Sequence, residues 1–279
     1  MLRAAEGYLK ERRVDAPRLS AEKLLAKVLR TTRLNLYLLH DRPLDDHERA
    51  GMRELTARRG RHEPLAYLLG EIEFHGHVLS VGPAVLIPRP ETEGLVDLAL
   101  ERAPQGARVL ELGTGSGAIA IALAKARADL SIVATDVSAD AVEVAMANAD
   151  RLGVLNQIRF LQGSWWEPLA AEPPFGLLVC NPPYVDPARD DLLAPDVRAH
   201  EPHLALFTAP SDPASCYRAI VAGAAGHLTD GAMLLFETGI EAAEPARAAL
   251  AAVPAILEVE LENDLAGLPR YLLARWAAG

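Results

Sequence analysis

Apolar positions fall at helical spacing through roughly the first seventy residues and then change to short strands separated by helices. Leu2, Ala5 and Leu9 share one helical face, and Ala21, Leu24, Leu25, Val28 and Leu29 form an apolar stripe with charges opposite. Pro17 and Ser20 mark the start of that second helix. Residues 34–39 and 45–59 predict two more helices, and 64–70 reads as a short one with proline early and glycine at its stop. The pattern predicts a small helical domain over residues 1–70, its Leu and Tyr positions packing a core. Over 71–84 the periodicity turns strand-like around Gly76, which predicts a hairpin linker. His75 and His77 in that hairpin have no third ligand at a usable spacing, so they read as exposed hairpin residues and no metal is expected.

From 85 to 279 helix and strand alternate. Strands are predicted at 108–112, 131–136, 158–163, 176–181, 232–238, 256–262 and 270–276, and helices at 91–102, 117–127, 138–152, 213–228 and 241–252. This βαβα order implies a parallel sheet with helices on both faces. Residues 263–269 leave no room for a crossover helix, so the last two strands are predicted to be antiparallel neighbours. The expected class is therefore α/β: a seven-stranded doubly wound sheet with an antiparallel last strand, preceded by a helical domain and a hairpin linker.

Composition narrows the possibilities. Of 279 residues, 50% are hydrophobic and 24% charged, enough apolar surface to exclude disorder as the main state. No apolar run reaches bilayer length, and the acidic residues in MLRAAEGYLKERR do not fit a signal peptide. Cys180 and Cys216 cannot build a disulfide framework, so a cytoplasmic protein is expected. The formal charge is −10, divided as +3 over residues 1–75 and −13 over the remainder. That sign opposes duplex binding, which needs a basic face.

The candidate chemistry begins at 113–117. Gly113, Thr114, Gly115, Ser116 and Gly117 lie between a predicted strand and a predicted helix, where glycines permit a sharp turn and close approach of a ligand. Asp136 ends the next apolar strand, where a carboxylate can accept hydrogen bonds from both ribose hydroxyls. Together they point to a nucleoside ligand. The glycine spacing differs from the dinucleotide G-x-G-x-x-G pattern, and Glu111 just before the loop would repel a pyrophosphate. A ligand with an ammonium and a sulfonium, such as S-adenosylmethionine, suits that acid better.

Asn181, Pro182, Pro183 and Tyr184 follow the strand before them directly. In an open α/β sheet this places them at the same carboxyl-end crevice as the glycine loop. The two prolines hold the backbone extended and rigid. A planar amine or amide nitrogen is a poor nucleophile because its lone pair is delocalised. The Asn181 side-chain oxygen and the Pro182 carbonyl can each accept one of its N–H groups, and Tyr184 can stack on its flat face. Trp165, at the end of the third strand, is a candidate neighbour for adenine, whereas Cys180 reads as a buried strand residue.

These motifs, with others spread over nearly the whole chain, resemble the bacterial peptide chain release factor N5-glutamine methyltransferases, the HemK-type family. The resemblance is carried by 64–71 (PLAYLLGE), 73–76 (EFHG), 86–93 (LIPRPETE), 111–117 (ELGTGSG), 181–184 (NPPY), 196–207 (DVRAHEPHLALF) and 264–270 (DLAGLPR). It implies a class I, Rossmann-like methyltransferase domain over 85–279. It further implies transfer of a methyl group from S-adenosylmethionine to the glutamine of the Gly-Gly-Gln loop in class 1 release factors, with the helical domain over 1–70 helping to hold that protein substrate. By motif matching, 113–117 would form the cofactor loop, Asp136 would hold the ribose and Trp165 would lie by the adenine. Asn181, Pro182, Pro183 and Tyr184 would hold the glutamine amide, with Asn181 also bordering the cofactor, and 88–93 would close over the same crevice. Ser164 stands where many members carry Asp, and His75 where a large aromatic is common.

The alternative is an N6-adenine methyltransferase acting on nucleic acid, since Asn-Pro-Pro-Tyr serves that chemistry too. The acidic balance of the catalytic part disfavours it, and neither nucleic acid nor membrane is an expected partner. An NAD-linked oxidoreductase is disfavoured by the glycine spacing, and a non-catalytic binding module would leave Asn-Pro-Pro-Tyr idle.

Overall fold

The computed structural model describes residues 1–39 and 41–277, which form two compact units. One comprises the described residues of Met1–Ile72 together with Leu193–His200; the other comprises Glu73–Leu192 and the described residues from Glu201 onward.

The helical unit contains α1 (Leu2–Glu11), α2 (Pro17–Val28), α3 (Asp46–Arg59) and α4 (Leu65–Leu69). Leu9, Leu24 and Met52 are fully buried in its core, with Ala5, Ala21 and Leu68 beside them. Local chemistry sets the ends. Asp45 and Glu48 form a reciprocal capping box at the start of α3, and Gly70, at φ 78°, ends α4 in the left-handed conformation. Two details differ from the sequence pattern. Helix α2 begins at Pro17, leaving Ser20 buried inside its first turn. Residues 34–39 form only a single 3-10 turn, Asn35–Tyr37. Leu34 and Leu38 there are 76% and 80% exposed, so no burial holds a longer helix.

Strands β1 (Glu71–Phe74) and β2 (His77–Ser80) form the hairpin, and the boundary between the two units falls within β1. His75 and Gly76 at its tip have φ of 47° and 74°, the two positive values of a type I′ turn. The two histidines are half-buried rather than exposed. The His75 backbone N–H donates to Glu93 (2.9 Å) and its Nε2 meets Asp97 (3.0 Å), so the residue docks the hairpin.

The second unit continues with α5 (Pro90–Arg102), β3 (Arg108–Leu112), α6 (Ala118–Ala126), β4 (Ser131–Asp136), α7 (Ala139–Arg151), β5 (Ile158–Gln162) and β6 (Phe175–Cys180). Then come α8 (Pro195–His200), which belongs to the helical unit through Arg59 and Asp196 (3.5 Å), and α9 (His203–Leu206). The chain ends with α10 (Ser215–Ala222), β7 (Leu228–Glu237), α11 (Ala243–Ala251), β8 (Ile256–Asn263) and β9 (Pro269–Trp276). The seven strands order as β5-β4-β3-β6-β7-β9-β8. Strand β9 runs antiparallel to both neighbours, and the pairings from β5 through β7 are parallel. The last strand in sequence is thus reversed and lies one place in from the edge. Central strands read as unbroken apolar runs because helices cover both faces: Leu177, Leu178, Val179 and Cys180 are all fully buried.

Helix α10 is shorter than the predicted 213–228. It stops at Gly223, where a Cβ would sit 2.1 Å from the Trp166 ring, and β7 begins as early as Leu228. The chain leaves β3 toward β4 on one side and later returns to β6 on the other, which opens a crevice at the carboxyl ends of these strands.

Candidate active site

A cavity of about 300 Å³ occupies that crevice. Gly113, Gly115, Asp136, Trp165, Asn181 and Pro183 all line it. The loop after β3 turns sharply, with Gly113, Gly115 and Gly117 at φ of 74°, 54° and 81°. A Cβ on Gly117 would also press on Ile121 and on the Ala145 backbone at 3.0–3.3 Å.

The loop's hydrogen bonds say what it can bind. The amides of Gly113 and Thr114 both donate to the Thr135 carbonyl (2.9 Å each), and that of Gly117 donates to the Thr114 carbonyl (2.8 Å). Gly115 donates to Asp136 Oδ2 (2.9 Å). A pyrophosphate cradle needs such N–H groups free; here they are engaged with the protein. The arrangement suits a ligand that packs against the glycines and is held by a carboxylate at the rim. Asp136 is that carboxylate. Its two oxygens accept from Gly115 and Ser138 (2.9 Å each), and burial pushes its pKa up. Trp165 lines the cavity with φ 43°, a left-handed conformation rare for a bulky residue, and Val137, Ala141 and Ser164 lie on the wall with it.

Thr114, Ser116 and Gly117 do not line the cavity; they build the loop from behind. Thr114 and Ser116 are buried. The Ser116 carbonyl accepts from the Asn148 side chain (2.9 Å). Thr114 Oγ1 donates to Glu111 Oε2 (2.6 Å), and the Ala120 amide donates to the same oxygen (3.2 Å). Glu111 therefore caps the first turn of α6 beneath the loop. It is 1% exposed, and burial pushes its carboxyl pKa up to about 8. This corrects the expectation that Glu111 presents a negative charge to the ligand: the group lies outside the lining and is mostly protonated at neutral pH.

Asn181 stands at the end of β6 on the cavity wall, with Pro183 beside it and Pro182 buried. Tyr184 packs against Gly239, where a Cβ would come within 2.8 Å of its ring. Burial raises the Tyr184 phenol pKa, which keeps it neutral. The Asn181 Nδ2 donates to Thr92 Oγ1 (3.3 Å), and Thr92 Oγ1 donates to Glu237 Oε2 (2.7 Å). Burial pushes the Glu237 carboxyl pKa up, against the opposing effects of the Thr92 hydroxyl, the Arg270 charge and a hydrogen bond from the Asn181 side chain. The segment 88–93 thus stands behind Asn181 instead of lining the cavity.

The rest of the lining comes from Ala84, Val85 and Leu86 in the loop after β2 and from Pro202, Leu204, Ala205 and Phe207 in and around α9. Glu201 joins them. Its oxygens accept from the Ile87 amide (3.0 Å) and from Arg89 Nη2 (2.6 Å), and it is buried. Residue type alone does not mark Thr92, Glu201 or Glu237 as part of the site. Glu237 carried a usable signal, because it ends an apolar strand as Asp136 does. Thr92 and Glu201 lay within recognised motifs but offered no spacing that marks a role.

The first seventy residues match the PrmC N-terminal domain, and residues 92–196 match the methyltransferase small domain. A release factor glutamine methyltransferase of Nitratidesulfovibrio vulgaris is 41% identical over 99% of this chain and 94% of its own length. One from Geobacter sulfurreducens is 44% identical over 85% and 82% respectively. This chain belongs to the release factor glutamine methyltransferase family. As a member of that family it is an S-adenosylmethionine-dependent methyltransferase, and the cavity fits such a cofactor: apolar walls, a glycine turn and the Asp136 carboxylate. The fold is shared more widely. A Clostridium thermocellum protein assigned as an rRNA-methylase, 13% identical, superposes with a TM-score of 0.51 over 68% of this chain and 100% of that one.

Proposed function

We propose that this chain methylates the side-chain amide nitrogen (N5) of the glutamine in the Gly-Gly-Gln motif of class 1 peptide chain release factors, and so modulates translation termination. The observation that supports this most is the sharing of one cavity by Asn181, Asp136 and the glycine loop. S-adenosylmethionine supplies an electrophilic methyl on a sulfonium. Asp136 would hold the ribose, Gly113 and Gly115 would lie against the cofactor with Thr114, Ser116 and Gly117 supporting the turn from behind, and Trp165 would flank the adenine. Asn181 Oδ1 and the Pro182 carbonyl each accept one N–H of the substrate amide, which fixes its nitrogen for in-line attack. Pro183 keeps the loop rigid, and the neutral Tyr184 ring stacks on the amide plane. With that cofactor bound, the N–C bond would form as the S–C bond breaks, and the nitrogen's proton would leave to water.

The helical domain over 1–70, joined by the 71–84 hairpin to the catalytic domain over 85–279, helps hold the release factor. The acidic balance of the catalytic part argues against direct binding of nucleic acid. No helix among the described residues is long and apolar enough to cross a membrane. The proposed site of action is the cytoplasm, with the translation machinery. Mass spectrometry of a purified class 1 release factor, after incubation with this protein and S-adenosylmethionine beside a DNA control, tests the reading. One added methyl on the Gly-Gly-Gln glutamine is expected. Methyl label in DNA with none in protein would overturn it in favour of the N6-adenine alternative.

A further inference from the structure

We propose that Thr92 and Glu237 are positioning residues for methyl transfer, acting through Asn181 by fixing which end of its carboxamide faces the cavity. The proposal rests on the reading above, in which Asn181 Oδ1 accepts an N–H of the substrate.

A carboxamide has an accepting end and a donating end of nearly the same shape. With the oxygen toward the substrate, Asn181 accepts the N–H of the nucleophile. Rotated by half a turn, it would aim its own N–H groups at the substrate's, and the nitrogen would not be held. Something must choose between the two.

Thr92, in the first turn of α5, makes the choice together with Glu237, which also draws a hydrogen bond from the Asn181 side chain. Its hydroxyl has a single hydrogen, directed to Glu237 Oε2 at 2.7 Å. What it turns toward Asn181 is therefore a lone pair, which requires the Nδ2 end at 3.3 Å. That leaves Oδ1 for the cavity. Glu237 sets the polarity of the chain, because its Oε2 accepts the one hydrogen the Thr92 hydroxyl has. Thr92 is 4% exposed and Glu237 1%, so water cannot readily substitute for either.

The two ends of this relay are anchored independently. The Tyr217 hydroxyl donates to the Glu237 carbonyl (2.8 Å), and the Tyr271 hydroxyl donates to the Glu91 carbonyl beside Thr92 (2.6 Å). Packing alone would be served by Val at 92, without the cost of burying a hydroxyl against a carboxylate.

The test measures kcat and KM on a release factor, cofactor affinity by calorimetry, and thermal melting, for Thr92→Val, Thr92→Ser, Glu237→Gln, Asn181→Ala and the Thr92→Val/Asn181→Ala pair. Thr92→Val is expected to lower kcat about tenfold or more, on the scale of losing a preorganised hydrogen bond, with cofactor affinity within about threefold of wild type. Thr92→Ser keeps the hydroxyl and should return kcat to within about threefold. Glu237→Gln can donate to Thr92, which frees the hydroxyl hydrogen to turn toward Asn181 and favours the wrong rotamer, so kcat should fall there too. Because Thr92 acts through Asn181, the pair should be no slower than Asn181→Ala alone.

If Asn181→Ala is impaired while Thr92→Val and Glu237→Gln turn over normally, the positioning role is wrong and the assignment of Asn181 stands. A normal rate in Asn181→Ala overturns the underlying reading and the relay with it. Should Thr92→Val not fold, Glu237→Gln against Thr92→Ser decides: equal, wild-type rates in both reject the proposal.

Discussion

Glu111→Gln isolates the buried carboxyl under the glycine loop. Thr114 and the Ala120 amide both donate to the same oxygen, Oε2. A glutamine can place its carbonyl oxygen there, keep both bonds and fill the same volume. What it loses is the ionisation. The carboxyl moves from the ordinary 4.5 to about 8 on folding. At ~1.4 kcal/mol per tenfold change in proton affinity, that corresponds to about 5 kcal/mol between the two protonation states. The sign follows from proton uptake. Between the two pKa values the folded state holds a proton that the unfolded state has released, so stability falls as pH rises. Below 4.5 both states are protonated and the contribution vanishes; above 8 the full penalty is present. Other groups titrate alike in both proteins, so the difference between variant and wild type reports Glu111. Urea unfolding from pH 5.5 to 7.5 should show the variant gaining about 3 kcal/mol on wild type, rising in proportion to pH. Parallel pH profiles, agreeing to within about 0.5 kcal/mol, would refute the reasoning and mean that Glu111 is charged in the folded protein.

Asp136→Ala removes the acceptor for two backbone amides and for the ribose, so cofactor affinity by calorimetry should fall about tenfold or more, consistent with the loss of charged hydrogen bonds. Unchanged affinity would remove Asp136 from the site. Gly239→Ala puts a methyl 2.8 Å from the Tyr184 ring. The ring must shift, so KM for the release factor should rise while cofactor affinity holds; unaltered kinetics would show that Tyr184 does not touch the substrate.

Much of the fold is legible along the chain because it is set locally. Alternating apolar strands and amphipathic helices, Gly70 at a helix end and Gly76 at a turn tip each depend on a few neighbouring residues. Residues 34–39 show the limit of that reasoning: the spacing suggests a helix, but no core surface meets Leu34 or Leu38. The predicted helix over 213–228 likewise ends early, at Gly223, where the Ile220 carbonyl of its last turn accepts from Trp166, a residue far away in sequence. The short helices α8 and α9 have too few turns to produce a period.

Sequence by itself determined the chemistry on offer: a glycine turn, a carboxylate ending the next strand and a rigid Asn-Pro-Pro-Tyr loop, each a short-range pattern that topology sends to the same end of the sheet. Tertiary structure decided how those groups are set. It buried Glu111 and raised its pKa, so the acid nearest the loop caps a helix instead of meeting the ligand. It brought Glu201 to Arg89 across 112 residues and Thr92 to Asn181 across 89. Such pairings depend on packing and on the dielectric of the interior, which no local pattern encodes.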